Sequence, residues 1–170
     1  QHVDEEAGVV YFSANGMNKT EDPYLIHYYR IGLNGKNLVC LTPEEGHHKA
    51  VFTDDMQYVI DTYSTIQTPP VTVLRRVKDG KLLRTLEHAD ITRLKAEGWQ
   101  APVVFVAAGR DSITPMWGII MRPSNFEPTK KYPIIEYIYS GPGYQYVPKS
   151  FTPWIWGMAE LAELGFIVVQ

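Results

Sequence analysis

Up to about residue 88 the apolar positions of this chain alternate with polar ones in short runs. After that they cluster into more continuous stretches. A period of two marks a half-buried strand, and β-branched and aromatic residues suit its pleated surface. Residues 9–13, 24–31, 38–41, 50–52, 58–63, 71–76 and 82–86 read as strands on these grounds. Asn34-Gly35 and Asp79-Gly80 fall between such runs, and both pairs tolerate the positive φ of a tight hairpin turn. The two turns head matching segments. Gly35-Lys36-Asn37-Leu38-Val39-Cys40-Leu41 and Gly80-Lys81-Leu82-Leu83-Arg84-Thr85-Leu86 share Gly, Lys and two Leu, about 45 residues apart. Each copy also carries an acidic turn ahead of a strand, Asp4-Glu5-Glu6 in one and Asp54-Asp55 in the other. Repeats of this length built from short antiparallel strands predict β-propeller blades of four strands each. The second copy supplies all four strands and the first only three, so the innermost strand of the first is expected before residue 1.

The pattern changes after Leu86. Asp90 is expected to N-cap a short helix over residues 91–97, with Gly98 as its stop. Residues 103–107 and 114–121 read as strands joined by a turn at Asp111-Ser112, and 122–132 as a loop. Residues 133–139 form an apolar strand running into Ser140-Gly141-Pro142-Gly143. Helical spacing follows over 154–164, with Trp156, Ala159, Leu161 and Leu164 on the inward side and Gly165 as terminator. Residues 166–169 are again a strand. Strand, helix, strand begins an α/β layer. The expected fold is therefore mixed: antiparallel propeller blades over residues 1–98, then the first part of an α/β domain over 99–170. A chain that closes on an apolar strand of this kind reads as a piece of a longer protein.

Composition narrows the classes. The 16 Lys and Arg against 19 Asp and Glu leave a formal net charge of −3, which argues against a cationic nucleic-acid binder. The longest apolar run, 165–169, falls far short of the ~20 residues of a membrane-spanning helix. The single cysteine, Cys40, excludes an intramolecular disulfide and a cysteine-rich zinc site.

Few residues could carry chemistry. None of the serines, at 13, 64, 112, 124, 140 and 150, stands in the Gly-x-Ser-x-Gly frame of an α/β-hydrolase nucleophile. His47 and His48 are adjacent, so on an extended segment they point to opposite faces; they read as a polar loop between blades, not a metal site. Asp54-Asp55 lacks the spacing of a calcium loop and reads as a turn. Trp154 and Trp156 read as core. Tyr137 and Tyr139 share one face of their strand, and Tyr139 stands at its carboxyl end, where open α/β sheets gather ligands. A phenol there either packs with its hydroxyl on water or a carbonyl, or donates to a developing oxyanion. No cofactor or metal is expected.

Lys130-Lys131-Tyr132-Pro133, the apolar strand, and Tyr139-Ser140-Gly141-Pro142 together resemble the prolyl oligopeptidase family of serine peptidases, in its dipeptidyl-peptidase IV branch. The stretch from Trp117 through Phe126 is similar to the opening of that family's hydrolase domain. Phe52 to Ser64 is similar to its last propeller blades. The resemblance implies a propeller joined to an α/β-hydrolase domain and release of N-terminal dipeptides, often after proline. It implies that Tyr139 donates to the oxyanion, with the catalytic Ser, Asp and His expected beyond Gln170. The Glu pair that holds the substrate amine is expected before Gln1; Glu44-Glu45 lies in a late blade and is not that pair. The implied partners are peptides with a free N-terminus, the implied compartment periplasmic or secreted, and the chain by itself is expected to be inactive. Two alternatives stay open on the residues alone: a non-catalytic β-rich interaction module, and another hydrolase of the same fold, an acylaminoacyl peptidase or an esterase. Self-association as a homo-oligomer is expected through the sheet edge that a missing blade strand would leave open.

Overall fold

The computed structural model describes residues 2–139, 146–155 and 157–170. They divide into two compact units, Gln1–Ala89 and Asp90–Gln170. The change of pattern read near residues 98–102 thus lies inside the second.

The first unit contains two four-stranded antiparallel meanders. One runs β1 (His2–Asp4), β2 (Val9–Ala14), β3 (His27–Gly32), β4 (Val39–Cys40) in spatial order. The other runs β5 (His47–Phe52), β6 (Tyr58–Ser64), β7 (Val71–Arg76), β8 (Leu82–His88) in the same order. The repeat read from the sequence is therefore a repeat of topology. Its Gly-Lys pair closes equivalent hairpins. The Lys36 carbonyl accepts from Gly32 N at 2.8 Å, and the Lys81 carbonyl accepts from Arg76 N at 3.0 Å. Gly80 is required twice over. Its φ is +70°, and a Cβ there would lie 2.8 Å from the Cys40 carbonyl oxygen of the other sheet.

The first sheet corrects one expectation. It has all four strands, because His2–Asp4 pairs with β2 in the register Val3↔Val10. Three residues bracketed by polar neighbours carry too little side-chain pattern to be read as a strand. Their backbone groups pair regardless, since ladder hydrogen bonds do not depend on the side chain. The sheet edge on which self-association was expected is therefore β1 itself, the outermost strand in the order.

The second unit is also mainly antiparallel, where an α/β layer was expected. Its sheet has the order β11 (Ile134–Glu136), β12 (Ile167–Val169), β10 (Pro115–Met121), β9 (Val103–Ala108). Strands β9 and β10 form a hairpin over an Asp111 turn, in which the carboxylate accepts from Ile113 N at 3.0 Å and Thr114 N at 2.8 Å. Among the described residues, the one parallel pair is β11 with β12, linked by helix α2 (Met158–Glu163). The core lies under that helix, which packs on β12 and β10: Ile119, Met121, Ile155, Met158, Ala162 and Val168 are all buried.

Both helices differ from expectation. Helix α1 spans Thr92–Ala96 with Ile91 at its N-cap; Asp90 sits one residue earlier, where its carboxylate accepts from Thr92 N at 2.8 Å. Helix α2 begins only after Gly157, whose φ of +77° breaks the helical path. That late start changes the phase, so Met158 and Ala162 face inward while Leu164 is 75% exposed. Trp154 precedes the helix and is exposed, not core, with its indole N–H donating to Glu160 at 2.6 Å. Trp156 lies outside the described residues.

Candidate active site

Tyr139 follows β11 by three residues. The ladder runs one residue past the strand, because Tyr137 N donates to the Val169 carbonyl at 2.8 Å. Tyr139 then stands beyond the carboxyl end of β11, as Gln170 stands beyond that of β12. Tyr137, Tyr139, Tyr146 and Gln170 line a cleft of about 260 Å³. Tyr139 is 64% exposed. It meets Tyr146 edge to face, with ring centroids 4.2 Å apart and planes at 80°. Gln170 is fixed by β10: its N donates to the Ile119 carbonyl at 3.0 Å, and its carbonyl accepts from Ile119 N at 2.8 Å. Its side-chain amide then donates to the Tyr146 carbonyl at 3.3 Å.

Chemically this cleft offers phenols and an amide. It is suited to donating hydrogen bonds to an oxygen that gains charge, and it holds no nucleophile or general base among its described lining residues. Ser140, Gly141, Pro142 and Gly143 lie outside the described residues. Tyr146 and Gln170 were not singled out from sequence; the aromatic cluster Tyr144-Gln145-Tyr146 just after Gly-Pro-Gly was the available signal.

The buried titratable groups of the first unit include His27, His48, Asp61 and Arg75. His47 and His48 open β5 and are not in a loop, which corrects their expected placement. His48 is buried, with Nδ1 2.8 Å from Asp61 Oδ1 and Nε2 2.7 Å from the Glu44 carbonyl. Asp61 is fully buried and accepts from Arg75 Nε at 2.9 Å. Arg75, also buried, donates in addition to the Glu44 carboxylate. His48, Asp61, Arg75 and Glu44 thus form one chain across β5, β6 and β7, and the Glu44 carboxylate is committed to Arg75. The Asp54-Asp55 turn forms as read, with Asp55 accepting from Thr53 Oγ1 at 2.6 Å and Gln57 N at 3.0 Å. These bonds hold its carboxyl below the usual range. Among the described residues no group of three His, Cys, Asp or Glu could hold a metal ion.

His27 stands beside this chain, its ring centroid 4.8 Å from that of His48. Nδ1 donates to the Thr42 carbonyl at 2.6 Å, and Nε2 lies 2.7 Å from Glu21 Oε1 without hydrogen-bond alignment. Burial works against its charge, but the Cys40 side chain, the Thr42 carbonyl and Glu21 outweigh it and push the pKa up to about 9. The folded value lies above the unfolded 6.5. The stabilisation is therefore complete below pH ~6.5 and lost as pH rises toward 9. Urea midpoints should fall across that window, and His27→Gln should flatten the fall; equal slopes in both proteins would remove His27 as its source.

The first 70 residues match the family described as "Dipeptidyl peptidase IV (DPP IV) N-terminal region". A probable dipeptidyl-aminopeptidase B from Neosartorya fischeri is 31% identical over 172 aligned residues, covering 98% of this chain and 18% of that protein. Dipeptidyl-aminopeptidase B from Aspergillus niger is 29% identical over the same shares. The crystal structure of Porphyromonas gingivalis dipeptidyl peptidase 4 superposes with a TM-score of 0.73 at 27% identity, over 95% of this chain and 22% of that one. A putative dipeptidyl aminopeptidase IV from Bacteroides ovatus also gives 0.73 at 27% identity, over 96% of this chain and 23% of that one. The chain thus spans about a fifth of the length of the relatives it matches. The matches to these relatives run through both units, so over nearly its whole length this chain is similar to dipeptidyl-peptidase-IV-like proteins.

Proposed function

We propose that the whole protein is a serine dipeptidyl peptidase in which Tyr139 donates to the oxyanion of the tetrahedral intermediate. In this reading the two four-stranded meanders of residues 1–89 are propeller blades. The observation that carries it is the position of Tyr139, an exposed phenol in a cleft beyond the carboxyl ends of the parallel pair β11/β12. Ligands of α/β sheets gather at such ends. A serine Oγ, its proton taken by a histidine, attacks the scissile carbonyl. The oxygen gains negative charge as the C–O π bond opens, and the Tyr139 O–H and a backbone N–H stabilise it. The intermediate then expels the amine, which takes the proton from the histidine, and water releases the acyl group. The nucleophile, acid and base belong to sequence other than these 170 residues, so this stretch alone does not turn over substrate.

Activity profiling of the full-length protein tests the reading. A Gly-Pro chromogenic amide should be cleaved and its N-acetylated form should not, because a dipeptidyl peptidase requires the free amine. The 170-residue chain should cleave neither. Preference for the N-acetylated amide or for an ester would favour an acylaminoacyl peptidase or an esterase. No hydrolysis at all would favour a β-rich interaction module.

A further inference from the structure

An oxyanion donor must be held in place before the charge appears, and among the described residues Tyr139 has few contacts that could hold it. It lies three residues past the end of its strand, it is 64% exposed, and its one aromatic contact among the described residues is Tyr146. A phenol on two rotatable side-chain bonds sweeps its hydroxyl over several ångströms. A misplacement of about 1 Å can cost as much as 10²-fold in rate. Something must therefore restrict the ring.

The Tyr146 ring meets Tyr139 at 4.2 Å and 80°, an edge-to-face arrangement that the aromatic quadrupole favours and that restrains rotation of both rings. Tyr146 is tied in turn to the sheet: its carbonyl accepts from the Gln170 amide at 3.3 Å, and the Gln170 backbone pairs with Ile119 in both directions. A contiguous path thus runs from strand β10 through Gln170 and Tyr146 to Tyr139. We propose that Tyr146 is a positioning residue, whose ring fixes the Tyr139 phenol in the orientation that donates to the oxyanion. The inference rests on Tyr139 being that donor.

A double-mutant cycle in the full-length enzyme tests it. Tyr146→Ala should lower kcat about 10-fold with little change in KM, an effect set by a displacement smaller than the 1 Å case above. Tyr146→Phe, which keeps the ring, should stay near the parent. In a Tyr139→Phe background, where the hydroxyl is already gone, Tyr146→Ala should cost nothing further. A structural role for Tyr146 would instead lower kcat equally in both backgrounds, and additive losses overturn the proposal. An unchanged kcat in Tyr146→Ala overturns it too, as does a Tyr146→Phe loss equal to that of Tyr146→Ala. The two readings fail separately. If Tyr139→Phe itself leaves kcat unchanged, the donor assignment falls and this inference with it. If Tyr139→Phe is slow and Tyr146→Ala is not, only the positioning role falls.

Discussion

Replacing Tyr139 by Phe in the full-length enzyme is expected to lower kcat by about 10²–10³-fold, the usual cost of removing one oxyanion donor. The substitution deletes a single oxygen. It keeps the ring, the edge-to-face contact with Tyr146 and the apolar wall of the cleft. What is lost is a hydrogen bond made chiefly in the transition state, when the carbonyl oxygen carries charge. KM should therefore move much less than kcat. Steady-state kinetics on a Gly-Pro amide separate the two, and an unchanged kcat would remove Tyr139 from the mechanism.

The largest stability effect is expected at Arg75. Arg75→Met should destabilise the chain by about 3–5 kcal/mol, read as a lowered urea midpoint. Arg75 is buried between the fully buried Asp61 carboxylate and that of Glu44. A methionine replaces the aliphatic stem of the arginine but not its guanidinium, and it leaves the Asp61 charge in a buried site with His48 as its remaining ion-pair partner among the described residues. Removing one partner of a buried pair costs far more than the intact pair contributes, because the survivor cannot regain water. The neighbouring residue is the control. Arg76 pairs with Asp79 across a hairpin where both side chains are 44% exposed, and Arg76→Met should leave the urea midpoint nearly unchanged, because exposed pairs are screened by water. Similar losses at both positions would contradict the account given for Arg75.

The contrast between these arginines shows where sequence reasoning stops. Arg75 and Arg76 are consecutive in the same strand, and no local feature separates them. Alternation places them on opposite faces, but which face is inward depends on the other sheet of the unit. The same holds for His48. On an extended segment His47 and His48 point to opposite faces, and only the folded unit shows that one of them is buried against Asp61, Glu44 and Tyr63. Polar residues at core positions are poorly legible because a buried charge needs its partners, and these come from three strands and the segment ahead of the first.

Local physics alone determined much of the first unit. Period-two alternation located β2, β3 and β5 to β8 to within a few residues. Positive-φ turns at Gly35 and Gly80 and a repeat of about 45 residues then gave two equivalent sheets of the β-rich class. Strand β1 was not legible, because it is held by main-chain pairing and not by a hydrophobic pattern. Helix α2 was found with its phase misjudged, because one left-handed glycine resets the face that a helical run presents. The Tyr139 motif was likewise visible in the sequence as chemistry at the end of a strand. Its surroundings belong to tertiary structure: Tyr146 and Gln170, 7 and 31 residues further along the chain, reach Tyr139 only because β12 pairs with both β11 and β10. Turn and strand preferences act over a few neighbouring residues and can be read in order. A cleft and a buried charge chain depend on long-range strand pairing, which only the folded chain decides.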